Sequence, residues 1–263
     1  MIGILTTAYK RPQISKSFCL MIDRIMKDYP GKFLPMCIAS LEEDRALFEA
    51  HNIETWIHEN HPLAGKWNLG LSKLAGRVDH IIVIDSDDVI NNNYIDQLLS
   101  NTGYDLVWCR GLYILCAEQN GFRGKVRFWD APYKTFGATG MFINGSLLDK
   151  TGWRLYHGNE DNMMGYSSHN FLLPHITSEF KFNLRETSSV LLDIKSEGGI
   201  HGFSGYAGNG IEADFDALVS MFSGREANYL RDLIETPRIC PEKINHNETH
   251  CRKDPMQNMQ KIN

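Results

Sequence analysis

The sequence predicts a single α/β domain with a largely parallel sheet in its first half and a mixed sheet in its second half. Three observations support this fold class. Over about the first hundred residues, short apolar segments alternate with segments of helical periodicity, which is typical of βαβ units. The most apolar segment, at 80–84, ends in an acidic run. Beyond residue 100 the alternation becomes irregular, which favours a mixed sheet.

Each element of the first half is predicted from its residue pattern. The strands are short and apolar, and we place them at 2–9, 33–39, 54–58 and 80–84. The helices keep apolar residues on one face, and we place them at 12–29, 42–51 and 65–74. Pro12 suits the first turn of a helix, because its missing N–H would have no intrahelical partner there. Trp67, Leu71 and Leu74 form the apolar face of the third helix.

The second half is predicted in the same way. Its strands are placed at 105–115, 125–129, 141–144 and 188–194. Its helices are placed at 162–171, 211–222 and 227–235, and Gly224 separates the last two. Residues 236–263 are polar and contain proline, which indicates a C-terminal extension. We therefore expect one domain over 1–235, with halves at 1–100 and 101–235.

Composition and charge exclude several classes of protein. The 263 residues include 27 lysines and arginines against 32 aspartates and glutamates, a net charge of −5, and 43% are hydrophobic. These values exclude a disordered protein, a coiled coil and a fibre, and they argue against a surface coated in basic charge. The longest aliphatic run, 81–84, is too short for a membrane span, and no secretory signal is evident. Because six cysteines are too sparse for a disulfide framework, we expect a cytoplasmic protein.

The acidic run contains the strongest candidates for chemistry. Asp85, Asp87 and Asp88 follow a buried strand, and the carboxyl ends of parallel strands form the ligand crevice of open α/β sheets. Carboxylates this close repel one another unless a cation or protons intervene. Divalent ions such as Mn²⁺ or Mg²⁺ prefer oxygen ligands and often accompany phosphates. The alternative is an acidic turn that caps the helix near Tyr94.

Haloacid dehalogenase-type phosphatases offer one family comparison. Residues 85–89 match their first motif, Asp-x-Asp-x-Thr/Val, which would make Asp85 the nucleophile and Asp87 the general acid/base. However, that family usually carries this strand near the N-terminus. It also needs a later strand that ends in an acidic motif, and we find none. We keep this phosphatase as an alternative.

The chain resembles GT-A glycosyltransferases of the family-2 type more extensively. Residues 6–12 resemble the first-strand segment that contacts the nucleotide in that family. Residues 65–70 resemble its Arg-Asn-x-Gly helix start, with Lys66 where Arg is common, and 84–88 resembles its Asp-x-Asp motif. Three later matches follow in the family's order: the glycine-rich loop and strand at 136–143, the Glu-Asp helix start at 158–162 and the late His201.

This resemblance implies a single GT-A domain whose first half binds a nucleotide sugar and whose second half binds the acceptor. It implies metal-dependent transfer of a sugar, with a UDP-sugar as the favoured donor, to an acceptor hydroxyl. The implied donor-binding residues are Thr7, Tyr9, Arg11, Lys66, Asn68 and Asp85. The implied ligands of Mn²⁺ or Mg²⁺ are Asp87, Asp88 and His201. The implied catalytic base is Asp161, supported by Glu160, and the implied acceptor-side residues are Gly137, Gly140 and Trp129.

Several of these assignments have an ordinary structural alternative. Lys66 is equally well explained as a solvated surface lysine. Asp161 precedes the predicted helix at 162–171, where Asn159 or a neighbouring acid would serve as the N-cap. Glycines around His201 let the backbone approach a ligand, although most lone histidines bind no metal. The cysteines and histidines of the C-terminal extension match no standard zinc spacing.

The acceptor is less well defined by the sequence. Residues 110–134 interleave five basic residues with aromatic ones, which suits a phosphorylated acceptor, a nucleic acid or a sugar ring. An amphipathic hairpin with solvated charges explains the same pattern. The acceptors we consider are a glycan, a lipid-linked precursor, a protein and, with lower weight, a hydroxymethylated base in DNA. A non-catalytic module that binds a nucleotide sugar or glycan remains a further alternative.

Overall fold

The structure, a computed structural model, describes residues 1–117, 122–130, 139–156, 171–196 and 210–236. Its strands are β1 (Ile2–Ala8), β2 (Phe33–Ala39), β3 (Glu54–Ile57), β4 (His80–Val83), β5 (Asp88–Ile90), β6 (Leu106–Arg110), β7 (Leu112–Cys116), β8 (Val126–Trp129), β9 (Met141–Asn144), β10 (Glu179–Asn183), β11 (Leu191–Lys195) and β12 (Ile211–Ala213). Its α-helices are α1 (Pro12–Asp28), α2 (Glu42–Glu49), α3 (Leu63–Leu74), α4 (Asn92–Ser100), α5 (Gly145–Lys150), α6 (Leu184–Thr187), α7 (Phe215–Val219) and α8 (Gly224–Glu235).

A seven-stranded sheet has the order β10-β6-β9-β4-β1-β2-β3. Strand β1 pairs in parallel with β2 and β4, and β2 pairs in parallel with β3. The helices α1, α2 and α3 lie between these strands along the chain, as parallel pairing requires. Strand β9 is antiparallel to both β4 and β6, so the sheet is mixed in its second half, as the sequence predicts.

A second sheet of five strands has the order β12-β8-β7-β11-β5. Strand β11 is parallel to β7 and antiparallel to β5. Strands β7 and β8 form an antiparallel pair, and β12 adds to β8 in the same way. Four residues, 84–87, separate β4 of the first sheet from β5 of the second. The acidic run therefore lies at the junction of the two sheets.

The seven-stranded sheet is covered by apolar side chains on both faces, because neighbouring residues of a strand point to opposite sides. Ile4 of β1 packs in a cluster with Phe18 of α1 on one face. Leu5 packs in a second cluster with Trp67 and Leu71 of α3 on the other. The expected apolar face of α3 is thereby confirmed as core.

The strand predicted at 105–115 is wrong as a single element. It is two strands, β6 and β7, which belong to different sheets. Gly111 separates them with φ +92°, a left-handed conformation that favours glycine. A Cβ at this position would lie 2.3 Å from the ring of Phe128. Glycine therefore permits both the turn and the close approach of Phe128.

The helix predicted at 211–222 is wrong at both ends, because helix α7 covers only Phe215–Val219. Residues 211–213 form β12, which pairs with β8. The helix α7 begins only at Phe215, because the side chain of Asp214 accepts a hydrogen bond from the N–H of Ala217 at 2.8 Å and caps it. Helix α8 begins at Gly224, earlier than predicted, with Ser223 and Glu226 forming a capping box. The predicted helix at 162–171 lies almost entirely outside the described residues.

No helix in the described ranges combines the length and the hydropathy that crossing a bilayer requires.

Candidate functional site

The candidate site lies where the parallel strands of the seven-stranded sheet end. Asp85, Asp87 and Asp88 follow β4 there, and β11 brings a fourth carboxylate, Asp193, directly opposite Asp88. The N–H of Ile194 donates to the carbonyl of Asp87 at 2.9 Å, which fixes the register of the two segments. We call Asp85, Asp87, Asp88 and Asp193, together with their two cationic partners, the acidic junction.

A tight turn shapes the acidic run. The N–H of Asp88 donates to the carbonyl of Asp85 at 3.1 Å. Thr139 spans the turn from outside, because its hydroxyl accepts from the N–H of Asp85 at 3.2 Å and donates to the carboxylate of Asp88. Thr139 thus contacts the acidic run, although the two are far apart in the sequence.

Two cations belong to the acidic junction. The guanidinium of Arg11, after β1, lies 2.6 Å from Oδ2 of Asp87. The ammonium of Lys195, at the end of β11, lies 2.6 Å from Oδ2 of Asp193. Among the described residues, four carboxylates therefore face two cations, which leaves two excess negative charges when all six groups are ionised. Water screens such an excess poorly at a site this enclosed.

The pKa values reflect this crowding. Burial, reinforced by the charges of Asp87 and Asp193, raises the pKa of Asp85 to about 7. Burial and the neighbouring carboxylates raise the pKa of Asp88 well above its usual range. Burial also acts on Asp87, but the charge of Arg11 and then that of Lys195 outweigh it and lower the pKa of Asp87. Arg11 thus stabilises one ionised carboxylate among groups that resist ionisation.

Asp193 and Lys195 are functional candidates that the sequence reasoning missed. Asp193 lies in, and Lys195 directly after, the apolar strand that the sequence predicts at 188–194. The available signal was an Asp-x-Lys pair in an otherwise aliphatic run, because alternate residues of a strand share one face. Charged residues seldom lie in buried strands without a partner, so this pattern indicates a second charged segment facing the first.

The segment after β1 is held in an unusual conformation. Lys10 has φ +55°, which is uncommon for a residue with a side chain, and its N–H donates to Oδ2 of the buried Asp44 at 3.1 Å. Beside it, Tyr9 is 36% exposed and Thr7 is half-buried. The segment therefore presents an aromatic ring at the strand ends and directs Arg11 to the acidic run.

Lys66 is not the solvated surface lysine that one interpretation predicted. It is only 1% exposed. Its ammonium donates to the carbonyl of Ala8 at 2.8 Å, to the hydroxyl of Ser40 at 2.8 Å and to Oδ1 of Asn60 at 3.4 Å. Burial lowers its pKa to about 8. Lys66 thus joins the ends of β1 and β2 to the loop after β3, and its predicted contact with the donor stays a prediction.

The side chain of Asn68 contacts the second half of the chain. Its amide donates to the carbonyl of Tyr156 at 3.1 Å and accepts from the N–H of Leu155 at 3.0 Å. These two residues immediately precede the segment that carries Glu160 and Asp161. Donor binding by Asn68 remains a prediction, because the described contacts of its side chain are with this backbone.

The two described acceptor-side candidates belong to different sheets. Gly140 is buried next to Thr139, with φ +74°, and its carbonyl accepts from the hydroxyl of Tyr94 at 2.7 Å. Trp129 ends β8 in the other sheet and packs, half-buried, against the apolar cluster that contains Phe128. Four further candidates, Gly137, Glu160, Asp161 and His201, lie outside the described residues.

The acidic junction fits a divalent cation by its chemistry, although its described part is not a complete cage. Among the described residues, no three histidine, cysteine or acidic side chains are arranged to hold a metal ion. However, the donors are hard carboxylate oxygens with two charges in excess. In addition, Oδ1 of Asp193 is buried and has no hydrogen-bond partner within the described ranges. Because other carboxylates surround this oxygen, a proton or a cation is its expected partner.

No protein-family model matches the sequence, and no curated protein matches it. Solved structures are similar. S. aureus TarS residues 1–349 in complex with UDP-GlcNAc superposes with a TM-score of 0.53 and 11% identity, over 84% of this chain and 64% of that chain. This chain thus spans less than two thirds of the TarS chain.

Two further similarities are weaker. Glucosyl-3-phosphoglycerate synthase from M. tuberculosis, in complex with Mn²⁺, UDP and phosphoglyceric acid, has a TM-score of 0.46 and 13% identity, covering 70% of this chain and 68% of that chain. The T. maritima inositol-1-phosphate CTP transferase has a TM-score of 0.46 and 11% identity, covering 90% and 98%. The topology and the similarity to TarS show that this chain has the GT-A fold, as its sequence predicts.

Proposed function

We propose that this chain is a metal-dependent glycosyltransferase that moves a sugar from a nucleotide-sugar donor to an acceptor hydroxyl. One observation carries the proposal: in a GT-A fold, four carboxylates oppose two cations where the parallel strands end. One divalent ion neutralises the two excess charges. Such ions bind through a few carboxylates and the phosphates of a substrate. A nucleoside diphosphate is therefore the ligand class that the site suits best.

The metal would be held by Asp87 and Asp88, with His201 as a predicted third ligand and Asp193 as an additional oxygen donor. Carboxylate oxygens suit Mn²⁺ and Mg²⁺ equally. Bound there, the ion would neutralise the charge that develops on the diphosphate leaving group. The proposed metal dependence rests on the charges of the junction.

The donor would lie across the ends of β1, β2 and β4. Tyr9 offers an exposed ring for contact with the base. Thr7 lies near the end of β1 and Asp85 just after the neighbouring strand β4, so both are proposed to contact the ribose or base. Arg11 is close enough to the acidic run to contact the diphosphate. UDP-GlcNAc is bound by TarS, and we propose a UDP-sugar as the donor here also.

Asp161 is the proposed base that removes the proton from the acceptor hydroxyl, and Glu160 is proposed to position the acceptor. Asn68 supports this assignment indirectly, because it anchors the backbone just before these residues. Asn68 and Lys66 both belong to α3, and Lys66 contacts the end of β1. Helix α3 therefore connects the proposed donor side to the segment that carries the proposed base.

A strongly basic acceptor surface is less well supported than the sequence suggested. The guanidinium of Arg110 forms two hydrogen bonds with the carboxylate of Asp130, at 2.6 and 3.0 Å. Arg123 donates to the carbonyl at the end of α8, and Arg127 donates to that of Gly210 at 3.2 Å. These three cations have partners within the chain. We therefore favour a glycan, a lipid-linked precursor or a protein as the acceptor over DNA, with Gly137, Gly140 and Trp129 on its side.

The two rival functions lead to different expectations. The phosphatase interpretation loses its support, because the acidic run follows an interior strand of a GT-A sheet. Only a measurement of turnover distinguishes a non-catalytic binding module from the proposed transferase. The binding module predicts donor binding without release of the nucleoside diphosphate.

Thermal unfolding against a panel of nucleotides and nucleotide sugars, with and without Mn²⁺, tests the proposal. We expect one nucleotide to raise the Tm by about 5 °C at 100 times its Kd, and only with the metal present. Asp87→Asn should abolish this increase. Asp216→Asn is the matched control, because its side chain is 81% exposed and distant in sequence from the acidic run. A panel in which no nucleotide changes the Tm would contradict the proposal.

A further inference from the structure

Lys195 is, with Arg11, one of the two cations of the acidic junction. It lies two residues beyond Asp193 on β11, so both side chains leave the same face of the strand. Ile194, between them, donates its N–H to the carbonyl of Asp87. Lys195 therefore stands beside the acidic run, and its side chain is only 11% exposed.

The charges of the site explain why a cation is needed at this position. The diphosphate of a nucleotide sugar carries two negative charges and gains a third when the sugar leaves. With four carboxylates, a divalent ion alone would leave the site at −2, which repels the donor. Arg11 and Lys195 together bring it to zero. Removing Lys195 would return a full negative charge to the site in contact with the diphosphate.

The type of residue also matters. Lysine is a point charge on a flexible four-carbon stem, so its ammonium can move between two anions within reach. Its partner Asp193 has a second oxygen, Oδ1, that is buried without a hydrogen-bond partner among the described residues. A metal ion near Asp193 would therefore compensate that carboxylate when the lysine leaves it.

We propose that Lys195 is a diphosphate-binding residue whose ammonium moves from Asp193 to the donor when the metal ion binds the carboxylates. This inference rests on the proposed function and names a residue of the same site. In the free protein the ammonium of Lys195 pairs with the carboxylate of Asp193 and so competes with the metal ion for that carboxylate. In the complex it stabilises the diphosphate and the charge that develops on it during transfer.

Calorimetric titration of the full chain tests this proposal with three probes: Mn²⁺ alone, UDP with Mn²⁺, and uridine. In Lys195→Met, UDP with Mn²⁺ should bind at least about 10-fold more weakly, because a charge contact is lost. Mn²⁺ alone should bind severalfold more tightly, because Asp193 loses its internal cation. Uridine binding should be unchanged. Lys195→Arg should retain most of the affinity for UDP.

Two controls separate this role from a structural one. Lys27→Met removes the same charge from the exposed face of α1 and should alter none of the three affinities. Lys195→Gln keeps a hydrogen-bond donor for Asp193, so it replaces Lys195→Met if that variant folds poorly. It should likewise bind UDP with Mn²⁺ more weakly and Mn²⁺ alone more tightly. A merely structural lysine would lower the affinities for Mn²⁺ and UDP together.

The outcomes also distinguish the two proposals. If the wild type binds Mn²⁺ but neither UDP nor any of GDP, CDP and ADP, the proposed function fails and this inference with it. If the wild type binds UDP with Mn²⁺ and Lys195→Met binds both as tightly as before, or both more weakly, the role of Lys195 is overturned while the proposed function stands.

Discussion

Two buried charged clusters of this molecule differ in their charge balance. In the first, Arg24 of α1 pairs with Glu226 of α8 at 2.8 Å and donates to the side chain of Asn92 and the carbonyl of Ile90. Oε2 of Glu226 also accepts from the hydroxyl of Ser223 at 2.5 Å. One cation faces one carboxylate, and the guanidinium is hydrogen-bonded on all three nitrogens. We call this the Arg24 network.

The acidic junction has the opposite character. It contains twice as many carboxylates as cations, and Asp88 and Asp193 face each other directly across the β5–β11 pair. Like charges opposite one another destabilise a sheet. A balanced network that joins α1, α8 and the segment after β5 is suited to holding the fold together. An unbalanced one is retained at the expense of stability, which is expected of a site that binds a cation.

Removal of Arg24 should therefore have the largest effect on stability. Arg24→Met leaves Glu226 as a buried carboxylate without its cation, and we expect the free energy of unfolding to fall by about 3–5 kcal/mol. Urea denaturation measures this change. In the double variant Arg24→Met/Glu226→Gln, at least half of the loss should be regained, because glutamine is neutral and still completes the capping box. A loss below about 1 kcal/mol in the single variant would contradict the structural role.

Lys66 provides an intermediate case, a buried cation that contacts oxygen atoms but forms no ion pair at hydrogen-bond distance within the described residues. Burial lowers its pKa to about 8 from the ordinary 10.5. Below pH 8 Lys66 is protonated in both the folded and the unfolded state, and the free-energy penalty for burying its charge applies in full. Between pH 8 and 10.5 the unfolded state binds more protons, so stability rises with pH.

The measurement is the difference in unfolding free energy between the wild type and Lys66→Met, from pH 7 to pH 11. This difference should shift in favour of the wild type by about 3 kcal/mol over that range, since one pKa unit corresponds to about 1.4 kcal/mol. Subtracting the variant removes the titration of cysteines and tyrosines that both proteins share. A difference that does not vary with pH would show that Lys66 is solvated.

Asp88→Asn should have the smallest effect on stability, which would sharpen the contrast between the acidic junction and the Arg24 network. The variant removes one of two facing carboxylates, and the new amide can still accept from Thr139. We expect the metal-free protein to unfold within about 1 kcal/mol of the wild type in urea, while Mn²⁺ binding falls at least about 10-fold. A loss of stability as large as that of Arg24→Met would mean that the acidic junction is a structural element.

The fold was predictable from the sequence because its first half is locally consistent. The strands and helices up to residue 83 have clear periods, and the observed boundaries differ by only a few residues. The errors lie where a single residue decides the path of the chain. Gly111 turns the chain from one sheet into the other, and Asp214 delays a helix that the apolar pattern placed earlier. Neither effect follows from periodicity.

Within the candidate site, the sequence pattern predicts the acidic run, because its three aspartates are close in sequence. The family resemblance adds Arg11, which the structure places on that run. Asp193 was missed because its importance depends on pairing with Asp88, about a hundred residues earlier, and such register is a tertiary property. The burial of Lys66 was missed for a similar reason: its partners come from the ends of β1 and β2 and from the loop after β3.

The most direct test of the central claim is release of the nucleoside diphosphate from the donor that the unfolding panel selects. The wild type is incubated with that nucleotide sugar and Mn²⁺, with glycan, lipid-linked and protein acceptors offered in turn, and the released nucleotide is quantified. The account predicts release that requires the metal and falls at least about 100-fold in Asp87→Asn. A wild type that binds the donor with Mn²⁺ yet releases no nucleotide would be a binding module. Release that persists unchanged in Asp87→Asn would contradict the role of the acidic junction.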